Sequence, residues 1–229
     1  MKWNEIEHVF FDLDHTLWDF EKNSALAFQK IFEDQKINIS VLEFLKVYKP
    51  INFRYWEMYR SNSVTKEALR YGRLKESFDS LKFEATDATI NTLADDYIKY
   101  LLANNHLLED GREVLDYLSK KYELHIITNG FEEVQHSKMK NSGILHYFKS
   151  ITTSEEAGVK KPHPAIFEKA LRKSKADPLK SVMIGDNLEA DIIGAHKFGL
   201  HTIYLDTEEE NIEVEFVRIE KLKELLNYL

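Results

Sequence analysis

At 229 residues without a single cysteine, the chain can form one large domain or two modest ones, and it excludes disulfides, thiolate catalysis and cysteine metal sites. A net charge of −8, with 43 % hydrophobic and 31 % charged residues, fits a globular protein and argues against a broad basic face for nucleic acid. No apolar run approaches the roughly 20 residues that span a bilayer. The opening "MKWNEIEHVFF" also lacks the pattern of a signal peptide, so the expectation is a cytoplasmic protein.

The first predicted element is a strand, "HVFFDLD" (8–14), whose apolar run ends in Asp12 and Asp14. Residues 17–100 then change texture. Glycine is nearly absent, and apolar residues recur at helical spacing in "ALAFQKIFED", "VLEFLKVY", "FRYWEMY" and "TINTLADDYIKYLL". From residue 101 onward, short β-rich runs alternate with amphipathic helical stretches. The strands read as "ELHIITN" (123–129), "SITTS" (150–154), "SVMIGD" (181–186) and "HTIYLD" (201–206), with helices such as "GREVLDYLSKKY" and "HPAIFEKALRKSK" between them. This order argues for an α/β fold, a doubly wound parallel sheet built from residues 1–16 and 101–229. Residues 17–100 form an all-helical insert after the first strand. Two unrelated domains in series are disfavoured, because the first strand would have no sheet to join.

Polar residues recur at the C-terminal ends of these strands, the rim where such sheets bind ligands. Strand one ends with Asp12 and Asp14, strand two with Thr128, Asn129 and Gly130, and strand four with Gly185, Asp186 and Asn187, one turn before Asp191. Lys160 and Lys161 precede Pro162. Taken singly, each has a plain structural reading as a turn, a helix cap or an exposed lysine. Four unrelated caps would not be expected to supply carboxylate, hydroxyl, ammonium and carboxylate at successive ends. Four converging carboxylates repel by about 4 kcal/mol per pair at 4 Å and an effective dielectric of 20. A divalent cation and a lysine offset that repulsion. Oxygen-only ligands suit Mg²⁺, and carboxylate-held Mg²⁺ is a common partner of phosphate. The combination points to phosphoryl transfer.

The motifs "DLDHT", "TNG", "KP" and "GDNLEAD", in this order, resemble those of the haloacid dehalogenase superfamily of aspartyl-phosphate hydrolases, and the insert resembles that superfamily's small helical cap. The resemblance implies that Asp12 is the nucleophile and Asp14 the general acid and base. It implies that Thr128 and the Asn129 backbone amide hold the phosphoryl group and that Lys161, rather than Lys160, neutralises nucleophile and phosphate. Mg²⁺ would be bound by the Asp12 carboxylate, the Asp14 backbone carbonyl and Asp186, with Asp191 orienting metal waters or Lys161. The superfamily's dehalogenases lack an acid at the second aspartate, since a leaving halide needs no proton, so Asp14 favours phosphate esters.

Within the insert, "VYKPINFRYWEMYRSNSVTKEALRYGRL" resembles the cap of a bacterial branch of pyrimidine 5′-nucleotidases, with Tyr48, Asn52, Trp56, Tyr59 and Arg73 at matching spacings. It departs at Asn62, where that branch has a turn glycine, and at Leu74, where a phenylalanine often follows the arginine. The branch implies that Asn52 and Arg73 contact substrate. Phe53, Trp56 and Tyr59, three apart, also read as ordinary cap core. The expected activity is a Mg²⁺-dependent nucleoside 5′-monophosphatase acting on a small phosphorylated metabolite, as a monomer or small homo-oligomer. Competing readings are a sugar-phosphate or phosphoglycolate phosphatase, a phosphomutase, and a phosphorylation switch. The large insert and Asp14 disfavour the switch, and the lack of Gly-x-Gly-x-x-Gly disfavours a dinucleotide enzyme.

Overall fold

The structure is a computed structural model that describes residues 5–206 and 216–229. The first four residues of the N-terminal segment read above as no signal peptide lie outside the described residues. Six parallel strands form one sheet: β1 (His8–Phe11), β2 (Glu123–Thr128), β3 (Phe148–Thr153), β4 (Ser181–Gly185), β5 (His201–Leu205) and β6 (Val217–Ile219). Their order is β3-β2-β1-β4-β5-β6. Five of these strands are the sequence-predicted ones. The sixth has only three residues, "VRI", too short to carry a periodic signal.

β1 is central, and Val9, Phe10 and Phe11 are completely buried. Burial on both faces is what a parallel sheet demands, and it is why these strands read as continuous apolar runs rather than alternating ones. On one face Phe10, Ile127 and Met183 pack against Ile166, Phe167 and Ala170 of the helix Pro164–Ser174. The chain steps outward from β1 to β2 and β3, then returns to place β4 on the other side of β1. This reversal of direction opens a crevice at the C-terminal ends of β1 and β4.

The described residues divide into two compact units, Met1–Phe20 with Asn105–Leu229 and Glu21–Asn104. Each boundary falls four residues later than the sequence boundaries at 16 and 100. The cause is local: the stretch after Asp14 stays with the sheet unit through Leu108 N–H to Leu17 O at 2.9 Å and Asp19 N–H to His106 O at 3.0 Å.

The second unit is helical. It takes in most of α1 (Phe20–Asp34), then α2 (Val41–Arg60), α3 (Lys66–Ser80) and α4 (Asp87–Leu101). Thr65 and Thr86 start α3 and α4 as side-chain caps, accepting from Ala68 N and Thr89 N. Phe28, Phe32, Phe44, Tyr48, Phe78 and Tyr97 form its core of packed rings. Of the three aromatics read as candidate core, Tyr59 is buried, Trp56 is half-buried and Phe53 is 57 % exposed. None of the described helices is long and apolar enough to cross a membrane.

Candidate active site

Asp12 extends the β1–β4 ladder by one residue, its N–H donating to Ile184 O at 2.9 Å, so the sheet itself fixes its backbone. The loop then folds back on itself: Leu17 and Trp18 N–H both donate to Leu13 O, and His15 N–H donates to Trp18 O. His15 occupies the left-handed region at φ 63°, unusual for a residue with a side chain. Thr16 Oγ1 donates to Asp186 Oδ1 at 2.9 Å, which joins the loops after β1 and β4 across the crevice.

Lys161 is buried; its ammonium donates to Asp12 Oδ1 at 2.6 Å and Ile127 O at 2.7 Å and forms an ion pair with Asp191 Oδ1 at 2.7 Å. Its backbone is held by Asn129, whose Oδ1 accepts from Lys161 N at 2.8 Å and whose Nδ2 donates to Lys161 O at 3.0 Å. The Asn129 side chain therefore sets the lysine in place. Thr128, at the end of β2, accepts at Oγ1 from Gly130 N at 3.0 Å and from Gln135 Nε2 at 2.7 Å. With both lone pairs occupied, its hydroxyl is left to act as a donor, which suits an anionic oxygen.

Carboxylate oxygens of Asp12, Asp186 and Asp191 lie within 4.8 Å of one another. Asp191 sits in a π-helical turn (Leu188–Ile193) and accepts from Asn187 N at Oδ2. The approach is so close that a Cβ at Gly185 would overlap its carboxylate, which is why that strand ends in glycine. Asp191 thus stands beside Asp12 and Asp186, with its Oδ1 2.7 Å from Lys161 Nζ, the lysine it is expected to orient. The Asp14 side chain is outside this group. It turns toward the helix Glu132–Asn141, with Lys138 Nζ 2.5 Å from Oδ1 and Gln135 Nε2 2.9 Å from Oδ2.

Charge balance tests whether a cation fits. Three carboxylates face one ammonium, a deficit of two positive charges when all are ionised. The Asp12 carboxyl is raised to about 8: burial is the largest cause, Lys161 works against it, and Asp191 and Asp186 add to it. Asp186 is raised to about 7 by burial and by Asp191. Burial works against the Lys161 ammonium, but Asp12 and Asp191 outweigh it and hold its pKa above the ordinary value. Buried carboxylates whose pKa values are raised for lack of counter-charge, with oxygen ligands only, fit a divalent cation of the Mg²⁺ type.

Sequence reasoning missed Thr16, Gln135 and Lys138. Lys138 is buried, and its ammonium lies 4.4 Å from the Trp18 ring centroid as well as against Asp14. The available signal was weak: Gln135 and Lys138 are three apart and share a buried helix face with Val134 and Met139.

In the helical unit, Arg73 is buried and donates from Nη1 to Asn52 Oδ1 at 2.8 Å. Its guanidinium carbon lies 4.9 Å from the Tyr97 ring centroid, and its Nε has no hydrogen-bond partner among the described residues. Tyr48 OH also donates to Asn52 Oδ1, at 3.3 Å.

A parallel sheet reversing beside β1, with a carboxylate pair, hydroxyl, lysine and acidic group at that crevice, defines a phosphohydrolase-type α/β enzyme. Residues 9–205 match the haloacid dehalogenase-like hydrolase family, and the chain belongs to it as a phosphatase-type enzyme. It is 30 % identical to the pyrimidine 5′-nucleotidase YjjG of Escherichia coli, over 90 % of this chain and 87 % of that protein. It is 29 % identical to a glyceraldehyde 3-phosphate phosphatase of Methanothermobacter thermautotrophicus, over 96 % of this chain and the whole of the relative. The crystal structure of the HAD-hydrolase YfnB from Bacillus subtilis, described as bound to magnesium, superposes with a TM-score of 0.88 at 28 % identity, covering 98 % of each chain.

Proposed function

We propose that this chain is a Mg²⁺-dependent phosphomonoesterase that hydrolyses nucleoside 5′-monophosphates, pyrimidine ones foremost, through an aspartyl-phosphate on Asp12. The supporting observation is the buried Asp12–Lys161 pair set within a group of three carboxylates at the sheet's point of reversal.

Asp12 attacks phosphorus, forming the carboxylate O–P bond while the ester P–O bond breaks. Asp14 gives its proton to the departing alcohol oxygen, then takes one from the water that cleaves the acyl phosphate. Both Asp14 oxygens are engaged by Lys138 and Gln135 in this conformation, so either step requires the side chain to turn from the helix Glu132–Asn141. Lys161 holds Asp12 through Oδ1, and Thr128 donates to a phosphoryl oxygen together with the Asn129 backbone amide. Mg²⁺ held by the Asp12 and Asp186 carboxylates and the Asp14 backbone carbonyl, with Asp191 alongside, would neutralise charge between nucleophile and phosphoryl oxygens.

Arg73 and Asn52 are assigned to substrate recognition. Similarity to YjjG and the buried Arg73 Nε, without a partner among the described residues, support a nucleotide. Similarity to the glyceraldehyde 3-phosphate phosphatase over its whole length supports a second reading, a small sugar phosphate. Phosphate release from a panel of pyrimidine and purine monophosphates, glyceraldehyde 3-phosphate and phosphoglycolate, with Mg²⁺ or EDTA, decides between them. The highest kcat/KM is expected for a pyrimidine nucleotide. A sugar phosphate at the top would remove the substrate assignment and leave the mechanism standing.

A further inference from the structure

The opposite end of the sheet carries a second cluster of ligand-type side chains. His8 opens β1, and Glu123 and His125 lie on the neighbouring strand β2, in the register His8↔Glu123 and Phe10↔His125. Residues two apart on a strand share a face, so all three side chains project to the side that also carries Phe10. His8 Nδ1 is 3.2 Å from His125 Nε2 and 3.7 Å from Glu123 Oε2, and one ligand atom from each residue falls within 4.8 Å of the others.

We propose that His8, Glu123 and His125 form a binding site for a transition-metal ion of the zinc class. Adjacent ligand atoms of a tetrahedral ion at about 2.05 Å lie roughly 3.3 Å apart, close to the spacing of the two ring nitrogens. Two imidazoles and a carboxylate are a borderline-soft donor set, which suits Zn²⁺ and not Mg²⁺. His125 Nδ1 lies 2.8 Å from Ser150 Oγ on β3. Donation from that nitrogen to the hydroxyl leaves the Nε2 lone pair directed at His8, the outer hydrogen bond that metal-bound histidines usually have. The Phe10 ring stacks on His125 at 4.7 Å and fixes its plane. His125 is fully buried, His8 is partly buried and Glu123 is exposed, so the cluster opens to solvent on one side for entry and for a water as fourth ligand.

This site is separate from the crevice of Asp12. Three strand residues intervene between His8 and Asp12, so four steps of 3.3 Å put them about 13 Å apart. A bound ion would tie β1 to β2 at their starts and stabilise the folded chain by mass action.

The test uses the full chain, stripped of metal and then saturated with Mg²⁺ to occupy the carboxylate group. Zn²⁺ is titrated calorimetrically, and Co²⁺ is followed by its visible absorption. One further equivalent of Zn²⁺ per chain is expected, with the strong visible bands of a four-coordinate Co²⁺ site. His8→Ala and Glu123→Gln should abolish both signals. These positions reach solvent, so folding should be retained, and circular dichroism checks it. Ser150→Ala should weaken binding about tenfold to hundredfold. Asp186→Asn should leave the extra equivalent in place. The proposal is overturned if wild type takes up no Zn²⁺ beyond the Mg²⁺-saturated state, if binding survives His8→Ala unchanged, or if Asp186→Asn removes it.

Discussion

The two compact units use buried charge in opposite ways. In the sheet unit, Lys161 is surrounded by acceptors, and the excess charge lies on the carboxylates beside it. In the helical unit, Arg73 is buried against Tyr97 and Asn52 with its Nε left over. The first arrangement is short of positive charge, and the second has donor capacity to spare.

The largest expected effect removes the nucleophile. Asp12→Asn should lower kcat by about 10⁴-fold or more, with the fold retained by circular dichroism. Next comes Lys161→Met, which strands Asp12 and Asp191 without their ammonium. Phosphate release should fall on the order of 10²- to 10³-fold. Removing one partner of a buried pair should also cost about 3–5 kcal/mol in denaturant unfolding. Normal activity in this variant would break the comparison on the sheet side.

Arg73→Ala sharpens the other side. It should lower kcat/KM for the best nucleotide about tenfold while leaving para-nitrophenyl phosphate nearly unchanged, and lost packing on Tyr97 should lower Tm modestly. A Tm decrease with both substrates affected alike would make Arg73 a core residue only.

A smaller effect concerns metal and pH together. Asp12 and Asp186 have folded pKa values of about 8 and about 7, above the ordinary 3.8. The metal-free folded state therefore binds more protons than the unfolded state, and its stability falls as pH rises from roughly 4 to 8. Mg²⁺ replaces those protons, so the Tm gained on adding it should be small at pH 5 and largest near pH 8, read by thermal unfolding with and without EDTA. The smallest effect is at His15, whose left-handed backbone costs roughly 1–2 kcal/mol. Glycine relieves that strain but gives back roughly 0.5–1 kcal/mol of chain entropy. His15→Gly should therefore be neutral to slightly stabilising in urea unfolding.

The residues at the strand ends were legible because fold and chemistry coincide there. An apolar run that stops at Asp12, Thr128 or Asp186 marks both the end of a strand and the rim of the sheet. Gln135 and Lys138 were not legible, since on the helix sequence they resemble any polar pair three apart. Only the tertiary placement of Asp14 against them gives them a role. The Asn129 side chain was likewise hidden, because its partner is the backbone of Lys161, 32 residues away. In the helical unit, spacing made Phe53, Trp56 and Tyr59 equivalent. The packed core runs instead through Phe28, Phe44, Tyr48, Phe78 and Tyr97, and leaves Phe53 on the surface.

The central claim is covalent catalysis at Asp12. Rapid acid quench of a single turnover with the preferred nucleotide and Mg²⁺, followed by peptide mass analysis, tests it most directly. The expected result is one phosphoryl group on the peptide containing Asp12, absent when EDTA replaces Mg²⁺. A phosphoryl group on another residue, or undiminished phosphate release by Asp12→Asn, would contradict it.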